Sequence, residues 1–223
     1  MLAIIGGTGQ EGLGLALRFL LADEDVIIGS RSLDNALTAV EELKTILDST
    51  TTYGINQSPK LLGSVNKEAA RLGDIVVIAV PFDAQEYILS ELRESIDRKI
   101  IINTVVPLQF ANGAIKTLTV QEGSAAEQSQ RILPSAVVIS AFHNLSAESL
   151  LDLNNDLDCD VIVCGSDKES KAKVMALASK MGRIRAIDGG NLDNSKYIEN
   201  LTAILININK IYGTNSSIKI TGI

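Results

Sequence analysis

Short aliphatic runs and longer amphipathic stretches alternate along the first 142 residues of the chain. Continuous apolar character marks the segments 2–5, 26–29, 61–65, 74–80, 99–103 and 136–142. Runs of this length and composition are typical of strands that are buried on both faces. Between them, stretches such as 12–22 and 33–47 repeat apolar residues every three or four positions, as helices with one buried face do. The alternation predicts an α/β fold with a doubly wound parallel sheet.

The remainder of the chain follows a weaker version of the same pattern. Predicted strands at 160–164 and 184–188 flank a predicted helix at 168–181, and a long helix is predicted over 194–212. Ser124 stands at the N-cap of a predicted helix over 124–133, with Glu127 at capping-box spacing. Two connecting segments have no helix or strand pattern: 50–60 is predicted to be a polar loop and 108–123 an irregular segment.

Composition excludes several classes of protein. Of 223 residues, 46% are hydrophobic and 21% are charged, which predicts a folded chain with a sizeable core. The net charge of −7 and the aromatic content of 4% argue against nucleic acid and anionic membranes as partners. No apolar run approaches the roughly 20 residues of a membrane span. Two cysteines, Cys159 and Cys164, predict a cytoplasmic protein rather than a disulfide scaffold.

The strongest motif is Gly7-Thr8-Gly9-Gln10-Glu11-Gly12, which follows a predicted strand and opens a predicted helix. Gly7 permits the tight turn, Gly9 lets a pyrophosphate approach the backbone, and Gly12 lets the helix pack closely on the sheet. The pyrophosphate then lies on the free N–H groups at the start of the predicted helix, and Gln10 is counted with the glycines and Thr8 among the cofactor-binding residues of the loop. The motif in this context predicts a Rossmann-type dinucleotide site.

The end of the second predicted strand indicates which dinucleotide binds. NAD-binding chains carry an acidic residue there for the ribose hydroxyls, but this chain has Ser30-Arg31 and no acid between residues 26 and 33. A guanidinium can pair with a 2′-phosphate and stack on adenine, and Thr8 adds another hydroxyl. These residues predict NADP(H) as the cofactor.

Ligands of open α/β sheets bind beyond the carboxyl ends of the strands. This rule puts two stretches beside the nicotinamide, Val80-Pro81-Phe82 and Thr104-Val105-Val106-Pro107. Pro107, the last of these residues, is assigned to the second substrate. We therefore expect an NADP-binding Rossmann domain at 1–142. A smaller C-terminal domain of helices and strands at 143–223 is expected to complete the substrate cleft.

Titratable groups are scarce at the predicted site. His143 is the single histidine and follows a predicted strand; it either orients a substrate or packs as a structural side chain. Asp156, Asp158 and Asp160 predict a solvated loop and no metal site, because the spacing of a calcium loop is missing. Cys164 is expected to be buried, and Cys159 more exposed. No catalytic side chain is predicted beyond a substrate-orienting His143, which suits direct hydride transfer between two bound rings.

Eight segments together carry a resemblance to one family. They are GGTGQEGLGLALR (6–18), GSR (29–31), DIVVIAVPFD (74–83), VVPL (105–108), GSAAE (123–127), VVISAFH (137–143), DVIVCGSDKESK (160–171) and NSKYIENLTAILININ (194–209). In these segments the chain resembles the F420H2:NADP oxidoreductases, which use the 8-hydroxy-5-deazaflavin coenzyme F420. The last two segments are absent from generic Rossmann proteins.

The resemblance implies reversible hydride exchange between NADP(H) and F420, and a homodimer. It implies that Thr8, Ser30 and Arg31 hold the 2′-phosphate. It also implies a deazaflavin cleft near His143, where Asn144 and Leu145 stand in place of the family's usual Thr-Ile.

Two other functions remain open from the residues alone. The first is an NADPH-dependent reductase of another acceptor, such as flavin, a ferric chelate or a cyclic imine. An imine reductase would need a proton donor, for which His143 is almost the sole candidate. The second is a non-catalytic NADPH-binding module that reports redox state to a partner.

Overall fold

The computed structural model describes residues 1–49, 59–111 and 114–223. Most of the predicted polar loop at 50–60 lies outside the described residues. The strands are β1 (Leu2–Ile5), β2 (Val26–Ser30), β3 (Leu61–Val65), β4 (Ile75–Ile78), β5 (Ile100–Asn103), β6 (Leu108–Ala111), β7 (Ala114–Thr117), β8 (Val137–Ser140), β9 (Asp160–Val163) and β10 (Arg185–Asp188). The helices are α1 (Gln10–Leu21), α2 (Leu33–Asp48), α3 (Asn66–Leu72), α4 (Phe82–Leu92), α5 (Ala125–Ile132), α6 (Ala147–Leu151), α7 (Lys168–Ala178) and α8 (Ser195–Tyr212). Among the described helices, none has the length and apolar character needed to cross a membrane.

Six parallel strands form the main sheet in the order β3-β2-β1-β4-β5-β8. β1 lies at the centre, and its Leu2 is in register with Val26 on one side and Ile75 on the other. The strand order reverses between β1 and β4, which opens a crevice at the carboxyl edge of the sheet. The doubly wound parallel fold predicted from the sequence is therefore confirmed.

The C-terminal part of the chain continues the same structure. β9 and β10 pair in parallel, and β9 meets β8 through a bridge in which Ser140 and Cys164 exchange backbone hydrogen bonds of 2.8 and 2.9 Å. One buried apolar cluster includes Phe142 together with Val161 and Val174. The core is thus shared across residue 142, and the division into domains at that position stays a prediction.

The sequence predicts an irregular segment at 108–123, and this prediction is wrong for the first half of the segment. β6 and β7 form an antiparallel hairpin there. The strands are short and carry no alternating apolar pattern, so the sequence gives little sign of them. Contacts with α8 support the hairpin: Asn207 Nδ2 donates to the Ile115 carbonyl at 2.9 Å, and the Thr117 hydroxyl donates to Asn200 Oδ1 at 2.6 Å.

The prediction of a solvated loop holds for Asp156 and Asp158, which are exposed, but two expectations at the start of β9 are wrong. Asp160 is fully buried rather than solvated, and it binds the Arg185 guanidinium through both oxygens at 2.9 and 2.7 Å. Cys159 is 5% exposed. The C-terminal tail covers this segment, since the Asp160 N–H donates to the Ile218 carbonyl at 2.8 Å. The tail therefore contributes to the burial of these residues.

A buried arginine joins α1 to the C-terminal part. Arg18 is 5% exposed and donates to the carbonyls of Leu150, Ser149 and Asp152 at 2.7, 2.8 and 2.6 Å. These carbonyls belong to the end of α6, where a cation is favoured by the helix dipole. Gly14 lets the two helices approach, because a Cβ there would lie 2.6 Å from Leu150 Cβ. The start of α1 is thereby held at a fixed position in the crevice.

Candidate active site

The loop between β1 and α1 is tightly packed against its neighbours. Gly6 has φ +79°, and a Cβ there would lie 2.4 Å from the Ala79 carbonyl oxygen at the end of β4. A Cβ on Gly7 would lie 2.9 Å from the Ile4 carbonyl oxygen, and one on Gly12 would lie 2.7 Å from the Gly6 oxygen. Backbone atoms of the protein itself therefore require glycine at these three positions.

Gly9 is different, because the protein leaves room for a side chain there. The nearest heavy atom to a Cβ on Gly9 would be the Gly6 oxygen at 3.5 Å, an ordinary contact. Gly9 is also the N-cap of α1 and supplies no side-chain cap, whereas Ser124 and Asp167 cap α5 and α7. The first N–H groups of α1 have no partner within the helix. An open cradle with free donors and positive dipole fits the pyrophosphate of a dinucleotide.

The neighbouring end of β2 has the groups that a 2′-phosphate needs. The Gly7 N–H donates to the Gly29 carbonyl at 3.2 Å, so the glycine loop and this strand end lie side by side. Ser30 is 5% exposed, while Thr8 and Arg31 are exposed. Within the described ranges no carboxylate pairs with the Arg31 guanidinium. The residues present thus fit the phosphate that distinguishes NADP from NAD.

A cavity of about 620 Å³ begins at the first turn of α1. Of the predicted site residues, it brings together Gln10, His143, Asn144 and Leu145. Thr104 and Val106, from the stretch predicted beside the nicotinamide, also line it. Further lining comes from groups that sequence reasoning did not single out, among them Glu11, Thr202, Asn209 and Asn215. Residues of α8 and the C-terminal tail also line the cavity. They are distant in sequence from the glycine loop, so no sequence motif predicts that they lie there.

The other predicted nicotinamide neighbours border the crevice without lining this cavity. Val80 is 8% exposed and lies against Gly6, and Pro81 is the N-cap of α4. Val105 is 2% exposed, and its N–H donates to Asn103 Oδ1 at 3.1 Å. The Pro107 carbonyl accepts from the Leu118 N–H at 2.7 Å and so closes the hairpin.

His143 is held by an unusual backbone at the end of β8. Phe142, the preceding residue, has φ +71°, a conformation that costs energy for a bulky side chain. Its ring is fully buried and packs edge-to-face on Phe19, with centroids 5.8 Å apart. From α8, the Thr202 hydroxyl donates to the His143 carbonyl at 2.9 Å. Packing and this hydrogen bond together hold the histidine at the cavity wall.

The side chains of His143 and Asn144 present unpaired polar atoms in the cavity wall. His143 is 4% exposed, and neither ring nitrogen has a hydrogen-bond partner among the described residues. Burial lowers the pKa of His143 to about 3, so the ring is neutral at physiological pH. Asn144 donates to the Asp160 carbonyl at 2.7 Å, and its Oδ1 lacks a partner in the described part of the chain. Buried polar atoms without partners point to a polar ligand.

Comparison with known proteins agrees with this geometry. Residues 1–107 match the family model described as "NADP oxidoreductase coenzyme F420-dependent". The F420-dependent NADP reductase of Methanocaldococcus jannaschii is 40% identical over 225 residues, covering 100% of this chain and 98% of the relative. The chain belongs to the F420-dependent NADP reductase family.

Other members of the F420-dependent NADP reductase family support the assignment. The reductase of Methanothermobacter marburgensis is 37% identical over 227 residues and matches 100% of this chain and 98% of its own length. A solved structure from Arthrobacter sp. FB24, described as a candidate F420-dependent NADP reductase, superposes with a TM-score of 0.82. It is 25% identical and covers 99% of both chains. The family's fold is therefore shared over the whole chain.

Proposed function

We propose that this chain transfers a hydride reversibly between NADP(H) and the deazaflavin coenzyme F420, with NADP on the glycine loop and F420 in the adjoining cavity. Family membership supplies the reaction, that of an NADP-dependent oxidoreductase using F420. One observation carries the assignment of the two sites: the glycine loop and the cavity are adjacent. The helical turn that follows Gly9 also lines the cavity.

The NADP half of the site combines backbone N–H groups with the exposed cation of Arg31. The N–H groups at the start of α1, from Gly9 to Gly12, hold the pyrophosphate, while Thr8, Ser30 and Arg31 hold the 2′-phosphate. This direction of binding carries the nicotinamide toward Val80, Pro81 and Val105 at the ends of β4 and β5. The overall charge of −7 repels anions, so these local donors must supply the affinity.

The F420 half of the site holds the second ring against the nicotinamide. When bound, the two coenzymes supply the hydride donor and the hydride acceptor. His143, Asn144 and Leu145 line the cavity on this side and Pro107 lies beside it, and the unpaired atoms of His143 and Asn144 are available to hydrogen-bond the ring system. A neutral His143 can donate from one nitrogen and accept at the other, which orients a ring without changing its charge. Close orientation of the two rings accounts for catalysis with few titratable side chains.

An absorbance assay tests this function. Purified protein is mixed with NADPH and oxidised F420, and parallel reactions contain free flavin, a ferric chelate or a cyclic imine instead. We expect rapid turnover with F420 and little with the others. Turnover confined to another acceptor would establish a different NADPH-dependent reductase. Tight NADPH binding without turnover of any acceptor would indicate a non-catalytic binding module.

The proposed enzyme is a homodimer that associates through α8. Tyr197, Ile204 and Ile211 follow one another at seven-residue intervals, so they form one stripe on the helix. Their exposed fractions are 61%, 56% and 74%, whereas Ile198 and Leu205 of the same helix face the core. The helix therefore has two apolar faces: one packs on the core, and a second copy of the chain would cover the other.

Light scattering after size exclusion tests the dimer. The native chain is expected to elute at twice the monomer mass, and Ile204→Glu with Ile211→Glu is expected to elute as a monomer. The matched exposed substitution Leu37→Glu on α2 should leave the mass unchanged. A native chain of monomer mass would refute the dimer.

Two further features of the proposal concern location and organisation. Both cysteines, Cys159 and Cys164, are free and buried, which supports a reducing compartment such as the cytoplasm. The cavity lies between parts of the chain before and after residue 142, which supports an NADP-binding domain at 1–142 and a smaller domain at 143–223 that completes the substrate cleft.

A further inference from the structure

One titratable side chain of the cavity has no part in the function described so far. Glu11 is the second residue of α1 and lines the cavity in company with His143. It is half-buried, and within the described residues its carboxyl group makes no hydrogen bond or ion pair. The carboxyl group therefore has its hydrogen-bonding capacity free for a ligand in the cavity.

The reaction itself needs a proton. Passing a hydride from NADPH to F420 and completing the reduction consumes one proton, and the reverse reaction releases one. A hydride acceptor enclosed in a cavity must exchange that proton with a nearby group or with a water molecule that enters. The question is which side chain of this chain can hold a proton at neutral pH.

The other titratable groups of the cavity are less suited than Glu11 to supply this proton. Apart from Glu11, those among its described lining are His143, Glu148 and Lys210. His143 is neutral, and burial holds its pKa near 3, too low to deliver a proton at neutral pH. Glu148 is exposed, and its carboxylate accepts a hydrogen bond from Asn215 Nδ2 at 2.9 Å. Lys210 is exposed on the last turn of α8.

The surroundings of Glu11 favour its protonated form. Burial raises the pKa of Glu11 from 4.5 to about 8. The N-terminal dipole of α1 favours the carboxylate and opposes this shift. A pyrophosphate bound on the same helical turn would neutralise the dipole and repel a second negative charge. With NADP in place, the carboxyl group thus keeps its proton at neutral pH.

We propose that Glu11 is the proton donor and acceptor that accompanies hydride transfer, an inference that rests on the proposed function. In the direction of F420 reduction, the nicotinamide C–H bond breaks with its electron pair and a C–H bond forms on the deazaflavin. The Glu11 O–H bond then breaks, its proton passes to a ring nitrogen of the reduced deazaflavin, and the carboxylate regains a proton from water. The reverse reaction returns each atom along the same route.

Substitution of Glu11 with glutamine tests the proposal in the full-length enzyme. The amide is neutral, like the protonated carboxyl group, so the KM for NADPH should stay within about twofold while kcat for F420 reduction falls about tenfold. This loss is smaller than usual for general acid catalysis because water reaches a half-buried position. The native enzyme should lose kcat in this direction as pH rises through about 8, and gain it in the reverse direction. Both changes of kcat with pH should be absent from Glu11→Gln.

Carboxyl carbon NMR of the complex with NADP⁺ supplies a measurement that does not depend on turnover. The signal lost in Glu11→Gln should titrate near pH 8 in the native protein. As a control, Glu169→Gln removes an exposed carboxylate from the first turn of α7 and should retain the native kcat and pH profile.

Three results would overturn the inference: titration of Glu11 at its ordinary value near 4.5 in the complex, an unchanged kcat in Glu11→Gln, or an unchanged pH profile in that variant. Failure of the proposed function is distinguishable from these, because the native enzyme would then leave F420 unreduced at every pH.

Discussion

Replacing Gly9 with alanine is expected to weaken the binding of NADP and NADPH about a hundredfold while leaving the fold intact. The added methyl group would have only an ordinary contact of 3.5 Å with the protein. It would, however, hold the pyrophosphate away from the N–H groups of α1. Losing two charge-assisted hydrogen bonds costs about 3 kcal/mol, which corresponds to about a hundredfold in affinity. Titration calorimetry and thermal unfolding of the same samples measure both quantities.

Gly12→Ala, three residues further along the same motif, provides the control. A Cβ on Gly12 would lie 2.7 Å from both the Gly6 oxygen and the Gly7 Cα, so backbone atoms must move. Gly12→Ala is therefore expected to destabilise the fold by about 1–3 kcal/mol even without ligand. If Gly9→Ala binds NADPH as tightly as the native chain, the loop is not the pyrophosphate site. A large drop in its melting temperature would instead show that Gly9 serves packing.

Replacing Arg31 with alanine is expected to raise the dissociation constant of NADPH about thirtyfold to a hundredfold and to leave that of NADH unchanged. The guanidinium is exposed and lies at the end of β2, where the ribose of a bound dinucleotide is expected. A bidentate pair with the 2′-phosphate contributes about 2–3 kcal/mol, and NADH has no such phosphate. Fluorescence titrations with both nucleotides measure the difference.

Two companion variants define what Arg31 contributes. Arg31→Lys keeps the charge and loses the planar fork, so an intermediate loss for NADPH is expected. Arg71→Ala removes another surface arginine, one that pairs with Glu68 at 2.7 Å, and should leave both nucleotides unaffected. An equal loss of NADPH and NADH binding in Arg31→Ala would show that the residue does not recognise the 2′-phosphate.

The strands and helices of the main sheet could be predicted because each depends on its own residues. Leu2–Ile5 and Leu61–Val65 have the bounds that the apolar pattern predicts. α1 begins at Gln10 rather than at Gly12, because a glycine inside the first turn resembles a break in the helix. The hairpin of β6 and β7 escaped prediction because α8, far along the chain, supplies the hydrogen bonds that support it.

The candidate site could likewise be predicted only in part. The glycine loop and the pair Ser30-Arg31 are local motifs, and their spacing alone predicted where a dinucleotide would bind. The cavity for the second substrate combines the start of α1, the segment after β8, α8 and the tail. The sequence therefore indicated His143 without deciding between a packed and a substrate-facing side chain. The structure shows it both buried and lining the cavity.

By itself the sequence determined the class of fold, the order of its elements and the dinucleotide that its glycine loop and Arg31 suit. These follow from hydrophobic periodicity and short-range spacing, which act over one strand or one helical turn. Only the tertiary structure decided which glycine leaves room for a ligand, which side chains line the second cavity and which carboxyl groups are buried. Those properties depend on distances between segments remote in sequence, as with Gly9 and Gly12, two similar glycines of one motif that meet entirely different surroundings.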